Sequence, residues 1–387
     1  MLILGIETSC DDTGVALVED GHRIVAAQRS SQANLHALYG GIVPEVACRA
    51  HYEVLLPMIE GVAKQANVKL KDIDAIAVTN QPGLVGSLYV GLSAAKGLAW
   101  ALGKPLVTVD HIEAHIYAAH MGDKDLEYPH VSVVVSGGHT DIFRSTGPTE
   151  HQLITRTLDD AAGECFDKVA ALLGLGYPGG PQIQMTSLGG DRDAVRFPRG
   201  DAGPDGLQLS FSGLKTAVLN DLRKRGFVMQ AARNAGRNLA QMSTPETPVP
   251  RSETRTLSVK LPLADIAASF QEAAVDIIVR ATLAATRKSR CKSVVLAGGV
   301  AANKRLREKM AEACKSQKGT PFTAAPIPLC MDNAEMVAGL GFHRLLSGQV
   351  AKLDADVMPN KDEKRARNEA PPEPEIDLDA ELGVIEE

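Results

Sequence analysis

Apolar and polar positions alternate along this chain in two distinct periods, and the periods divide it into elements. The opening "LILGIETSCDDTGVALVED" reads as an apolar strand, a turn of small and acidic residues, and a second strand with period-two alternation. Residues 130–147, "HVSVVVSGGHTDIFRSTG", repeat that unit with serine and glycine in the turn. The likeness predicts two related halves. Between the hairpins, "PEVACRAHYEVLLPMIEGVAKQAN" has helical periodicity and "DIDAIAVTNQPG" is a strand ending in a turn. "GSLYVGLSAAKGLAWALG" is a helix of small residues, and "PLVTVD" is another strand. In the second half "DDAAGECFDKVAALLG" predicts a helix and "GYPGGP" a loop. "SVVLAGGVAANKRLREKMAEAC" predicts a buried strand running through Gly-Gly into a helix. Strands and helices alternating in both halves predict the α/β class.

The length of 387 residues, 44% of them hydrophobic, is enough for two globular domains. Six scattered cysteines without a CxxC pair point to reduced thiols rather than a disulfide framework. With no basic leader and no run approaching the ~18 apolar residues of a membrane span, the expectation is a soluble cytoplasmic protein without membrane contact. The net charge of −6 is unevenly spread. Residues 354–387 carry 12 acidic and 4 basic side chains, which leaves the body slightly basic. That tail is too poor in apolar residues to fold alone and is expected to be disordered. Residues 222–260 hold 8 basic and 2 acidic side chains with little periodicity, so a basic insertion is expected there.

The stretch "VTVDHIEAHIYAAH" carries the clearest chemistry. On a helix, His111 and His115 share one face, one turn apart, where two imidazoles can hold one metal ion. In the zinc-protease motif a glutamate directly follows the first histidine, but that place is Ile112 here. Glu113 falls roughly 200° round the helix from His111, so a protease would lack its base. A third ligand must come from elsewhere, and "PLCMDNAEMVAGLGFHRLL" offers Asp332. A carboxylate with two imidazoles suits Fe(II) or Zn, with Fe(II) preferred, better than Mg. Asp332 with Glu335 three residues on reads equally as a helix cap with a capping box.

Two glycine turns are candidates for anion contact. Ser136, Gly137 and Gly138 in "VSGGHTD" lie between two strands, and Gly298 and Gly299 in "LAGGVAANK" lie at a strand-to-helix turn beside Asn303. Neither fits the Walker or dinucleotide fingerprint. Asp11 and Asp12 in "SCDDTG" are either turn formers or groups facing a reacting ligand.

Taken in order, "GIETSCDDTGVAL", "DHIEAH", "VSGGHTD", "DDAAGECFDKVA", "YPGGP", "LSFSGLKTAV", "AGGVAANKRLR" and "MDNAEM" resemble the tRNA N6-adenosine threonylcarbamoyltransferase (TsaD/Gcp) family, in its bacterial form, from residue 2 to about residue 347. The resemblance implies the actin-like ATPase (ASKHA) fold, with two RNase H-like domains around a nucleotide cleft. It implies residues 1–130 plus 331–353 as one domain, 131–330 as the other, and 354–387 as the tail. The last helix would return to the first domain and carry Asp332 to His111 and His115. By the same resemblance these three are the metal ligands, and Val134, Val135, Ser136, Gly137, Gly138, Asp167, Gly180 and Asn303 contact an adenylate. The implied reaction moves a threonylcarbamoyl group from threonylcarbamoyl-AMP to N6 of adenosine 37 in tRNAs reading ANN codons. Asp11 is expected to accept the amine proton, and a TsaB-like paralogue and a TsaE-like P-loop ATPase are expected partners. Departures from the family pattern are Asp12, Gln182, the basic insertion and the acidic tail. A kinase or nucleotide switch on the same fold is the alternative.

Overall fold

The computed structural model describes residues 1–123, 125–227, 262–317 and 319–359. Strands β1 (Leu2–Glu7), β2 (Asp12–Glu19) and β3 (Arg23–Ser31) form an antiparallel meander. Helices α1 (Ala33–Ala37) and α2 (Pro44–Gln65) follow, then β4 (Ala75–Gln81), α3 (Val85–Leu102), β5 (Leu106–Asp110) and α4 (His111–Gly122). The strand order is β3-β2-β1-β4-β5, with β4 and β5 parallel to β1.

The second half repeats this plan. It runs β6 (His130–Val135), β7 (Thr140–Gly147), β8 (Glu150–Arg156), α5 (Ala162–Leu173), α6 (Gly179–Thr186), α7 (Ser212–Lys224) and α8 (Leu263–Ser289). Then come β9 (Val294–Ala297), α9 (Lys304–Ser316), β10 (Phe322–Ala324) and α10 (Ala334–Leu346). The sheet order β10-β9-β6-β7-β8 is the first sheet's order with the same parallel and antiparallel pairings. The two hairpins read from the sequence are therefore β1–β2 and β6–β7, at equivalent places in two copies of one topology.

The helix that closes each half packs against the other half. Ile112 and Ile116 of α4 are buried with Val134 and Phe143 of the second sheet. α10 lies on the first sheet, where the strands make room for it: a Cβ on Gly5 would sit 2.3 Å from the Ala334 carbonyl oxygen, and one on Gly341 2.4 Å from the Ala77 methyl. Glycine is required there by close approach of helix and strand. α2 and α3 cover the opposite face of the first sheet, burying Leu55, Ile59, Leu88 and Leu92 against Leu4, Ile6, Val15 and Leu17.

Three features differ from the sequence expectation. Gly179 and Gly180 of the "GYPGGP" loop already belong to the first turn of α6. α3 is, by length and composition alone, long and apolar enough to cross a membrane, contrary to the expectation that no segment is. Its Leu88, Leu92, Ala95 and Ala99 are buried in the core, as expected of a helix covering a sheet. Residues 354–359, read as the start of a disordered tail, are tied to the first half. Asn80 Nδ2 donates to the Asp356 carbonyl at 3.1 Å, the Met358 amide donates to the Asn80 carbonyl at 2.9 Å, and Val357 is buried. The remainder of the tail, and the basic stretch from residue 228 onward, lie outside the described residues.

Candidate metal centre and cleft

β5 ends at Asp110, whose carboxylate accepts from the Ile112 amide at 2.9 Å and the Glu113 amide at 3.2 Å and so caps α4. His111 is thus the first helical residue and His115 lies one turn on, both buried, with ring centroids 4.5 Å apart. Asp332 arrives from the chain's other end. Its Oδ1 lies 3.4 Å from His111 Nε2 and 3.3 Å from His115 Nε2. One ligand atom from each of the three residues lies within 4.8 Å of the other two.

The capping-box reading of Asp332 does not hold. The cap of α10 is Asn333, whose side-chain oxygen accepts from the Met336 amide at 2.9 Å. Asp332 sits one residue before that cap, so its carboxylate is available to the histidines.

Around the three ligands is a support that the sequence analysis missed. Glu7, at the end of β1, accepts from His111 Nδ1 at 3.0 Å, from the Thr79 hydroxyl at 2.7 Å and from the Ser9 amide at 2.6 Å. A carboxylate on Nδ1 fixes the ring and directs Nε2 inward, as is usual behind a metal-bound imidazole. An acid inside the otherwise apolar strand "LILGIE" was the available signal. Burial disfavours a charged His111, yet Glu7 and Asp332 outweigh it and hold its pKa well above the ordinary value. Burial together with charged His111 depresses His115. Burial opposes ionisation of Asp332 as well, but the two imidazoles keep its carboxyl below the usual range.

Among the described residues neither ring nitrogen of His115 has a hydrogen-bond partner, although the side chain is completely buried. The Asp332 contact to Nε2 is close but not aligned as a hydrogen bond. A buried imidazole without a partner is costly, and a cation shared with His111 and Asp332 would satisfy its Nε2. The donor set of two imidazoles and a carboxylate fits a transition-metal ion. Glu113 is paired with Arg344 of α10 at 2.6 Å, which ties α4 to α10.

Asp11 and Cys10 border this centre, each offering an atom within 4.8 Å of an Asp332 carboxylate oxygen. Burial first, and Asp332 next, raise the pKa of Asp11. Burial likewise raises Asp12 to about 6, against a hydrogen bond from Ser31. In the second half, burial also raises Asp167, with Asp11 among the charges that push it further. Asp167 accepts from the Gly179 amide at 2.7 Å, and from that of Gly180, at the start of α6.

The remaining expected ligand contacts divide. Val134 and Val135 are fully buried strand residues. Ser136, Gly137 and Gly138 form the turn, and a Cβ on either glycine would meet open space. Gly298, at φ +90°, brings β9 so close to β6 that a Cβ would lie 2.5 Å from the Val135 carbonyl oxygen. Asn303 is committed mainly to the protein: its Oδ1 caps α9 through the Leu306 amide at 3.0 Å, and its Nδ2 donates to Gln271 at 2.8 Å.

Comparison with known proteins identifies the family and the fold. The family model for TsaD, tRNA N6-adenosine threonylcarbamoyltransferase, matches residues 23–339. A protein of that name from Symbiobacterium thermophilum is 44% identical over 359 residues, covering 92% of this chain and 96% of the relative. One from Clostridium botulinum (strain 657 / Type Ba4) is 43% identical over 358 residues, with the same coverage. Among solved structures, full-length HypF in its phosphate- and nucleotide-bound form superposes with a TM-score of 0.56 at 15% identity, over 90% of this chain and 56% of that one. That likeness speaks for the fold alone, which is the actin-like ATPase fold. The chain belongs to the tRNA N6-adenosine threonylcarbamoyltransferase family and is an enzyme of tRNA modification.

Proposed function

We propose that this enzyme takes the threonylcarbamoyl group from threonylcarbamoyl-AMP and places it on N6 of adenosine 37 in tRNAs reading ANN codons, with a metal held by His111, His115 and Asp332. The observation that carries the metal is the buried, unpartnered imidazole of His115 beside a carboxylate delivered from 217 residues away. Such a metal, Fe(II) in preference to Zn, would supply Lewis-acid polarisation of the acyl carbonyl.

The chain's own groups account for the rest. The exocyclic amine attacks the carbamoyl carbon, the bond from that carbon to the phosphate oxygen breaks, and AMP leaves with the electron pair. Asp11, whose burial raises its proton affinity, takes the amine proton. The amides of Gly137 and Gly138 have no internal acceptor among the described residues and offer hydrogen bonds to the adenylate's anionic oxygens. Asp167, which accepts from the Gly179 and Gly180 amides and feels the charge of Asp11, belongs to the same site. Partners proposed on family grounds are tRNA, a TsaB-like paralogue and a TsaE-like P-loop ATPase, working in the cytoplasm.

The test is to incubate the enzyme with tRNA, threonylcarbamoyl-AMP and those partners, then digest the tRNA and weigh its nucleosides. Modified adenosine is expected with the wild type and almost none with His115→Ala. Full modification by His115→Ala would overturn the assignment.

A further inference from the structure

α4 carries a second polar cluster at its other end, away from the cleft. His120 Nε2 meets His130 Nε2 at 3.0 Å, His130 Nδ1 meets the Ser132 hydroxyl at 3.0 Å, and Ser132 Oγ meets Ser145 Oγ at 2.5 Å. Ser145 Oγ meets His151 Nδ1 at 2.8 Å, and His151 Nε2 lies 3.2 Å from the Pro148 carbonyl oxygen. The chain therefore runs from α4 through β6 and β7 to β8, from the closing helix of one half across the sheet of the other.

With His151 neutral, its last contact orders every proton along the chain. A carbonyl only accepts, so His151 donates from Nε2 and accepts at Nδ1 from Ser145. Ser145 then accepts from Ser132, Ser132 accepts from His130 Nδ1, and His130 Nε2 is left bare to accept from His120. All three histidines are neutral in this pattern, and each donor points the same way. The His120 and His130 rings have centroids 5.2 Å apart with their nitrogens at 3.0 Å, an end-to-end arrangement that suits a shared proton and leaves no space for a metal between them.

We propose that this chain is a positioning latch: it fixes the C-terminal end of α4 to the second sheet, so that the same helix presents His111 and His115 in register with Asp332, and it opens on protonation. A proton added to His130 Nε2 would set two donors head to head. A proton relayed along the chain would end on His151 as an imidazolium.

Among the described residues, little around the His120–His130 pair offsets a positive charge. Tyr117 of α4, Asp123 just after it, Tyr128 before β6, His151 of β8 and His343 of α10 face the pair, with His22 beside His343. Of these only Asp123 is an acid, and it also accepts from Thr323 of β10 at 3.3 Å. Burial, with the neighbouring imidazoles adding to it, lowers His120 to about 4 and His130 to about 3. Both lie below the ordinary value of 6.5. The latch is thus intact above pH 6.5 and lost as the pH falls, with opening favoured about tenfold per pH unit for each proton taken up.

The positioning part rests on the metal reading above, so two measurements on the full-length protein separate the ideas. In the first, thermal midpoints are followed from pH 7.5 to 5. The wild type should lose stability below pH 6.5, and the His120→Gln/His130→Gln variant should lose less over the same interval. Equal losses would overturn the latch. In the second, cobalt(II) binding is titrated at pH 7.5. Ser132→Ala, with unchanged circular dichroism, should bind about tenfold more weakly, the scale of a support residue behind a metal ligand, and Ser132→Thr should restore binding. Wild-type affinity in Ser132→Ala would remove the positioning role. A wild type that binds no cobalt would instead count against the metal reading, and the midpoints would still decide on the latch.

Discussion

The two closing helices begin with nearly the same letters, "DHIE" before α4 and "DNAE" before α10. Both spell an acidic N-cap with glutamate three residues later. In α4 the aspartate does cap, and the functional residue is the histidine after it. In α10 the next residue, Asn333, takes over the cap, its amide nitrogen also binding the carbonyls of Leu329 and Met331. Asp332 is thereby displaced by one position into the space between the histidines. One topology, used twice and with its closing helices exchanged, brings a cap and a ligand to the same spot. The amide or imidazole that follows decides which role the aspartate has.

Substitutions along the two starts should expose that difference. The largest effect is expected for Asp332→Asn: metal affinity falls by about 100-fold or more while α10 stays folded, as equilibrium dialysis and circular dichroism would record. Substantial loss of helix would mean that Asp332 caps after all. Glu7→Gln comes next. With His111 Nδ1 no longer held by a carboxylate, metal affinity should drop about 10- to 100-fold, whereas unchanged affinity would deny Glu7 its supporting role.

Asp110→Ala and Asn333→Ala remove true caps, and each should lower unfolding free energy by about 1 kcal/mol in denaturant titrations. If Asn333→Ala were neutral, the displaced-cap account would fail. The smallest effect on transfer should come from Glu113→Ala. It loses the pair with Arg344, worth about 1 kcal/mol of stability, yet keeps its rate within a fewfold of wild type. A loss of the ~10²–10⁴ expected for a missing general base would place Glu113 in the chemistry.

The same contrast explains what could be read from the letters. Both hairpins were legible because period-two alternation and small-residue turns are local, and the histidine pair because spacing of four on a helix is local too. Asp332 was ambiguous on local grounds, since "DNAE" satisfies a capping rule as well as a ligand role. Motif resemblance favoured the ligand, and only the cap geometry of Asn333 separated the two. Glu7 was missed because its partner lies 104 residues along the chain, and no strand pattern encodes that meeting. The passage of α4 onto the second sheet was hidden for a similar reason. Ile112 and Ile116 show an apolar face but not which sheet it meets. Asn303 shows the converse: an amide expected to face a ligand is taken up by capping α9 and bonding Gln271.

The most direct test of the central claim is the metal content of enzyme purified without oxygen, measured by mass spectrometry of the elements for the wild type and for His111→Ala/His115→Ala. The account predicts close to one iron or zinc per wild-type chain and almost none in the double variant. A wild type with no transition metal, or a double variant that retains it in full, would contradict the assignment of His111, His115 and Asp332.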